Sequence, residues 1–255
     1  MLTVFDANVR KVVIELRRYL PNTISLVVTF YVIFLAMFLG ISVVGDPATT
    51  EANLRFAIVG NAFWFFLLMG VSSMGWELTT EATRGTLEQL AMSPVGLRAI
   101  LAARMIGTIL VNLVIVAAML TLTMLTAGQM LSFDLPLLAL VLVPTFVGIV
   151  GLGYAVAGLA LLYKQISALL QILQFVFLAL AFVPLAVAPW LEFAPVVKGL
   201  DMIRQGLVDG VALSAFGMRD WASLALNGVA YLALGLVAFS LAERRARSRG
   251  LMGQY

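Results

Sequence analysis

Residues 135–163 read LPLLALVLVPTFVGIVGLGYAVAGLALLY, a run without one charged side chain. The hydrocarbon layer of a bilayer is about 30 Å thick and takes roughly 20 helical residues to cross. This stretch is long enough to cross it. Five further charge-free runs pass the same test: Pro21–Gly45, Phe56–Trp76, Met105–Phe133, Gln165–Leu191 and Trp221–Ala242. Across the 255 residues 62% are hydrophobic and 11% charged, whereas soluble domains carry roughly 25% charged residues. So few charges cannot clothe a globular surface. The expectation is an all-α integral membrane domain over 1–255, with spans at about 22–45, 56–76, 104–131, 135–163, 165–190 and 221–242.

The joints support six crossings. Gly45-Asp46-Pro47 and Ser132-Phe133-Asp134 are turn signals, and Lys164 alone separates the fourth run from the fifth. Two long apolar helices joined so briefly are antiparallel neighbours. Pro184 and Pro189 are expected to kink or end the fifth span early. Six spans put both termini on one side, and Lys and Arg choose it. One side holds Arg10, Lys11, Arg17, Arg18, Arg84, Arg98, Arg104, Lys164, Arg244, Arg245, Arg247 and Arg249. The other holds Arg55, Lys198, Arg204 and Arg219. The richer side, with both termini, reads as cytoplasmic.

Residues 1–20 place Leu2, Phe5, Val9, Val12, Leu16 and Tyr19 at three- and four-residue steps, with Arg10, Lys11, Arg17 and Arg18 mostly elsewhere. This reads as an amphipathic helix lying in the interface, either anchoring the first span or also bracing a cytoplasmic partner. Charges persist to Arg18 and the apolar run after them is too long for a signal peptide, so Met1–Tyr255 is expected to be the mature chain.

Several chemistries are excluded. The chain has no His and no Cys, which removes Cys-based zinc sites, disulfides and Ser-His or Cys-His nucleophilic pairs. No span carries a charge near its middle, where ion-coupled carriers usually need one. The phosphate-cradling G-x-x-x-x-G-K-[ST] loop is absent, so ATP hydrolysis cannot reside here. Gly148, Gly151 and Gly153 sit in an apolar span and read as small-residue helix packing. The net charge of +3 does not suggest nucleic acid.

The segment 77–104 is the most informative of the rest, reading ELTTEATRGTLEQLAMSPVGLRAILAAR. Thr86 and Gln89 have capping-box spacing, so a short helix begins there. Ser93-Pro94 is a second start signal, with Ser as N-cap and a helix running on into the third span. A short helix, a break and a long protruding helix are more order than a simple connector needs.

Glu81-x-x-Arg84-Gly85-Thr86-Leu87-Glu88-Gln89-Leu90-x-x-Ser93-Pro94 resembles the cytoplasmic loop of permease subunits of type-2 ABC exporters, such as bacterial drug, polyketide and polysaccharide exporters. The similarity extends to the interfacial helix, the six spans and the Pro195-to-Arg204 stretch after span five. The usual acidic–basic run before the loop is thinned here by Leu78-Thr79-Thr80 and Ala82-Thr83. The resemblance implies a coupling helix seated on a separate ATP-binding subunit, which would carry the ATP and Mg, with two such subunits serving a homo- or heterodimeric permease. On that carry-over Glu81, Arg84, Glu88 and Arg98 set docking register, Leu87 and Leu90 bury, and Gly85, Thr86 and Pro94 shape the loop.

Polar groups inside the spans admit two readings. Asn61 and Trp64 in span two, Asn112 in span three, Asn227 in span six, and Ser167, Gln171 and Gln174 beside Phe175 in span five suit interhelical hydrogen bonds. In the resembling family spans two and five bound the substrate route, which makes Asn61, Trp64, Gln171, Gln174 and Phe175 pathway candidates for an amphipathic substrate. The external segment 192–220 has Val196, Leu200, Ile203 and Leu207 at helical steps. It reads as one or two short helices at the outer leaflet, either a structured loop or, by resemblance, an outer gate including Pro195, Asp201 and Arg204. Two other classes are weighed against the exporter: a non-transporting membrane scaffold, and an intramembrane enzyme, which the lack of His, Cys and mid-span Asp opposes.

Overall fold

In a computed structural model describing residues 20–163 and 165–250, the stretch quoted above is one unbroken helix, Leu135–Tyr163. Pro144 sits inside it without ending it. In chain order the helices are α1 (Leu20–Val44), α2 (Thr50–Thr83), α3 (Leu87–Ala91), α4 (Leu97–Ala127), α5 (Leu135–Tyr163), α6 (Ser167–Phe182), α7 (Val197–Leu207) and α8 (Met218–Ser248). Two 3-10 turns, Pro189–Phe193 and Leu213–Ala215, flank α7. The described residues contain helices and no strand. The interfacial helix expected over 1–20 lies outside the described residues but for Leu20, and so does the joint Lys164.

Five of these helices, α1, α2, α4, α5 and α8, are long and apolar enough to cross a membrane. The sequence led us to expect six full spans, and the fifth differs. Its helix stops at Phe182, two residues before Pro184, and has 16 residues. At about 1.5 Å per residue that is roughly 24 Å, less than a hydrocarbon layer. The physical reason is local: the residue before a proline is pushed out of the α region, and Val183 is extended.

Three other spans overrun their apolar runs at the end nearer the 84–96 loop, while α4 stops at Ala127, short of the expected 131. The helix α2 continues to Thr83 rather than Trp76, α4 begins at Leu97 rather than 104, and α8 extends to Ser248. These projecting ends gather around the 84–96 loop. The core is built around α2, whose span window is 83% buried against 11–33% for the other four. Phe30 of α1 meets Trp64 and Phe65 edge to face, and Leu67, Met74 and Leu78 are enclosed by neighbouring helices.

The broadest helix contact among the described residues joins α5 to α8. It is a seam of small residues. Gly228 faces Pro144, Gly235 faces Gly151, and Gly158 faces the Phe239 backbone, so that main chain lies against main chain. Gly148 and Gly151 thus do the packing that their sequence context suggests.

Candidate functional site

The loop geometry begins with Gly85, whose φ of 70° closes α2. Gly85 N–H donates to Ala82 O and Thr86 N–H to Glu81 O, both at 3.0 Å. This is a Schellman ending, and the left-handed residue it needs is cheapest as glycine. The helix α3 then starts at Leu87 after Thr86, as the sequence led us to expect. The capping box does not form. The Thr86 hydroxyl turns back to donate to the Glu81 carboxylate and carbonyl. The second start signal also differs: Ser93-Pro94-Val95-Gly96 is a turn, with Gly96 N–H donating to Ser93 O at 3.0 Å, and α4 begins only at Leu97.

An electrostatic frame fixes this loop. Arg104 Nη1 donates to Glu77 Oε2 at 3.0 Å and Glu81 Oε1 at 2.8 Å, so α4 is tied to the last turns of α2. Glu243 of α8, 9% exposed, accepts from Arg98 Nη2 at 3.2 Å and Arg247 Nη2 at 2.8 Å. Arg247 also reaches the Ala91 carbonyl at the end of α3. Tyr154 of α5 donates to the Arg98 carbonyl at 2.7 Å. These bonds join α2, α4, α5 and α8 beside the loop, and the one from Arg247 reaches α3 itself.

Two of the residues expected to meet a partner are thus turned inward. Glu81 pairs with Arg104, and Arg98 pairs with Glu243, although the Arg98 side chain keeps 49% of its surface. Leu87 is 3% exposed and belongs to this chain's own core, with Leu90 packed against it. The outward face consists of Arg84, Glu88, Gln89, Met92, Pro94 and Val95. Arg104, Glu77 and Glu243 escaped the sequence reading because their pairings span 27 or 145 residues.

In the half of the bundle nearer this loop lies a cavity of about 800 Å³ between α1, α2, α4 and α6. Its polar lining comes from all four helices: Asn22 and Thr29, Ser72 and Ser73, Thr108 and Asn112, and Ser167, Gln171 and Gln174. Leu26, Phe30, Leu68, Met69 and Trp76 supply apolar wall. Of the pathway candidates, Gln171 and Gln174 line this space. Trp64 and Asn61 stand behind it in the core, where Trp64 Nε1 donates to the Gln174 carbonyl at 3.1 Å. Phe175 is 65% exposed on another face of α6.

At the opposite end, α7 is buried almost throughout, wedged against α5, α2, α6 and α8. Asn227 holds the turn before it: its Nδ2 donates to Ala194 O at 2.9 Å and its Oδ1 accepts from Val196 N–H. Pro195, half-buried, sits in that turn. Lys198 donates to Asp220 Oδ1 at 2.7 Å and pairs with Glu192 at 3.4 Å. Burial opposes the Lys198 charge, but Asp220 and Glu192 outweigh it and raise its pKa. The same hydrogen bond from Lys198 holds the Asp220 carboxyl below its usual range.

The pair's contribution is therefore present between the two ordinary values. It is lost as pH falls through the depressed Asp220 pKa, below 3.8, and as pH rises through the elevated Lys198 pKa, above 10.5. Asp220→Asn should lower thermal stability at pH 7 by about 1 kcal/mol or less, because the carboxylate is partly in solvent. In melting curves the gap to the unsubstituted protein should narrow as pH falls below 3.8; a gap that widens with acidification contradicts the assignment.

A charged loop framed by four helices lies at one end, with a mixed polar cavity beside it. A family model described as ABC-2 family transporter protein matches residues 46–237. The chain belongs to this family, the membrane subunits of ABC transporters, which generally work with an ABC ATP-binding subunit. A comparison with curated proteins found no match.

Proposed function

We propose that the chain is an export permease, dimeric and served by two ATP-binding subunits, that moves an amphipathic or lipid-like substrate out of the cytoplasm or inner leaflet. Drugs, polyketides, lipids and glycans all fall within that description. The observation that carries this reading is the 800 Å³ cavity, amide- and hydroxyl-lined yet walled by Phe30, Leu68 and Trp76, at the same end as the framed loop. A mixed lining suits an amphiphile better than a bare ion. Both termini lie in the cytoplasm, and α6 with residues 183–196 completes a sixth crossing. The outer elements Pro195, Asp201 and Arg204 close the exit.

In this reading the ATP-binding subunit seats on Arg84, Glu88, Gln89 and Pro94. The frame through Arg104 and Glu243 passes its rigid-body movement to α2, α4 and α8. ATP and Mg act on the partner, not here. Glu88→Arg, exposed and outside every internal pair described, reverses the docking charge without disturbing the core. It should cut transport and substrate-stimulated ATP hydrolysis of the reconstituted complex at least tenfold, with membrane insertion intact. Normal transport by this variant, tested across those compound classes, would overturn the coupling role. Leu87→Asp is a poorer test, because it would unfold the loop from inside.

A further inference from the structure

A second cavity, of about 350 Å³, lies at the end of the bundle opposite the loop, between the start of α2, the segment after α6 and the last turns of α7. Phe56, Pro184 and Leu185 form its apolar wall, and Arg204, Asp201 and Asp209 bring charge to it. Arg204 is 7% exposed. Its guanidinium lies over the Phe56 ring, 3.7 Å from Cζ to the centroid, and Nη2 donates to the Ala181 carbonyl. Nε is buried without a partner, and no carboxylate pairs with the group among the described residues.

A buried cation is ordinarily paired, because desolvation is otherwise uncompensated. Here the nearest carboxylate, Asp201, accepts instead from Gln205 Nε2 at 2.8 Å. Burial shows on both groups, lowering the Arg204 pKa to about 9 and raising that of Asp201. At neutral pH Arg204 stays charged. The cavity thus holds Arg204 and Asp201, which feel one another's charge without forming a direct ion pair, and both signs stand beside an apolar wall.

We propose that it binds the headgroup of a zwitterionic amphiphile, with a phosphate on Arg204, an ammonium at Asp201 and Asp209, and the apolar chain leaving past Phe56 and Leu185. A simple anion would meet two repelling carboxylates; an ammonium on the same ligand answers them. The volume, near the lower end of the roughly 300–1,000 Å³ of ligand sites, fits a headgroup rather than a bulky molecule. The ligand is retained at this end whether or not it is transported, so the inference stands apart from the export reading.

The test is native mass spectrometry of the full chain in detergent, titrated separately with dioleoyl-phosphatidylethanolamine, -phosphatidylcholine and -phosphatidylglycerol, and with inorganic phosphate as competitor. No ATP or partner is needed, so failure here leaves the transport assay untouched. The ethanolamine and choline lipids should each bind about tenfold more tightly than the glycerol lipid. Arg204→Gln and Asp201→Asn should each reduce that binding by about the same factor. Asp201→Asn can keep the Gln205 hydrogen bond, and it carries the test if Arg204→Gln gives no folded protein. Unchanged binding in a folded variant, equal binding of the glycerol lipid, or displacement by millimolar phosphate would each overturn the proposal.

Discussion

Gly235→Leu is expected to prevent the chain from holding its fold, and it should be the most damaging small-to-large change in the molecule. A Cβ at 235 overlaps the Gly151 carbonyl oxygen, and one at 151 overlaps the Tyr231 carbonyl. Neither obstacle is a flexible side chain that can swing aside. Overpacking a tight interior typically costs 1–3 kcal/mol; backbone meeting backbone along the broadest helix contact should reach about 3 kcal/mol or exceed it. Thermal unfolding in detergent, read by size-exclusion fluorescence, checks this. Gly40→Leu is the control, because nothing lies within 4 Å of its Cβ position. Equal melting of the two variants would mean that α5 and α8 do not meet as described.

Arg104→Met should free the loop. Its partners Glu77 and Glu81 have side chains 24% and 12% exposed, so both carboxylates would lose the guanidinium that joins them. Removing one partner of a buried pair costs on the order of 3–5 kcal/mol. The loss should appear locally, as hydrogen exchange at residues 77–96 accelerated at least tenfold, and functionally, as ATP hydrolysis no longer stimulated by substrate. Adding Glu77→Gln and Glu81→Gln to the same chain should recover much of the protection, since the repulsion between the two carboxylates is then gone. Exchange unchanged by Arg104→Met would show that the frame does not hold the loop.

The spans were legible because lipid imposes a length on charge-free sequence, and α1 and α5 fall within a residue of their runs. The errors came where helices outlast the bilayer: hydropathy registers the lipid thickness, not the charged turns that carry α2 to Thr83 and α8 to Ser248. Pro184 correctly foretold an early end to the fifth helix. Gln171 and Gln174 were visible as a polar face on one helix. Asn22, Thr29, Ser72 and Thr108 were not, because each is unremarkable in its own helix and only packing brings them to one space. The Arg98–Glu243 contact joins residues 145 apart, and no local pattern encodes it.

The least lipid-soluble of the five long helices is also the one most enclosed by protein. The window of α2 has a mean hydropathy of 1.7, the others 1.9 to 2.6. Yet α4, α5 and α6, which surround it, are all synthesised afterwards. During biogenesis the helix therefore waits for most of its cover: Asn61 can already reach the Phe30 carbonyl of α1, but Ser72 and the face that α4, α5 and α6 will enclose cannot yet be sheltered. Maturation of this chain is then governed by how soon its later half arrives to envelop an early, weakly inserted guest.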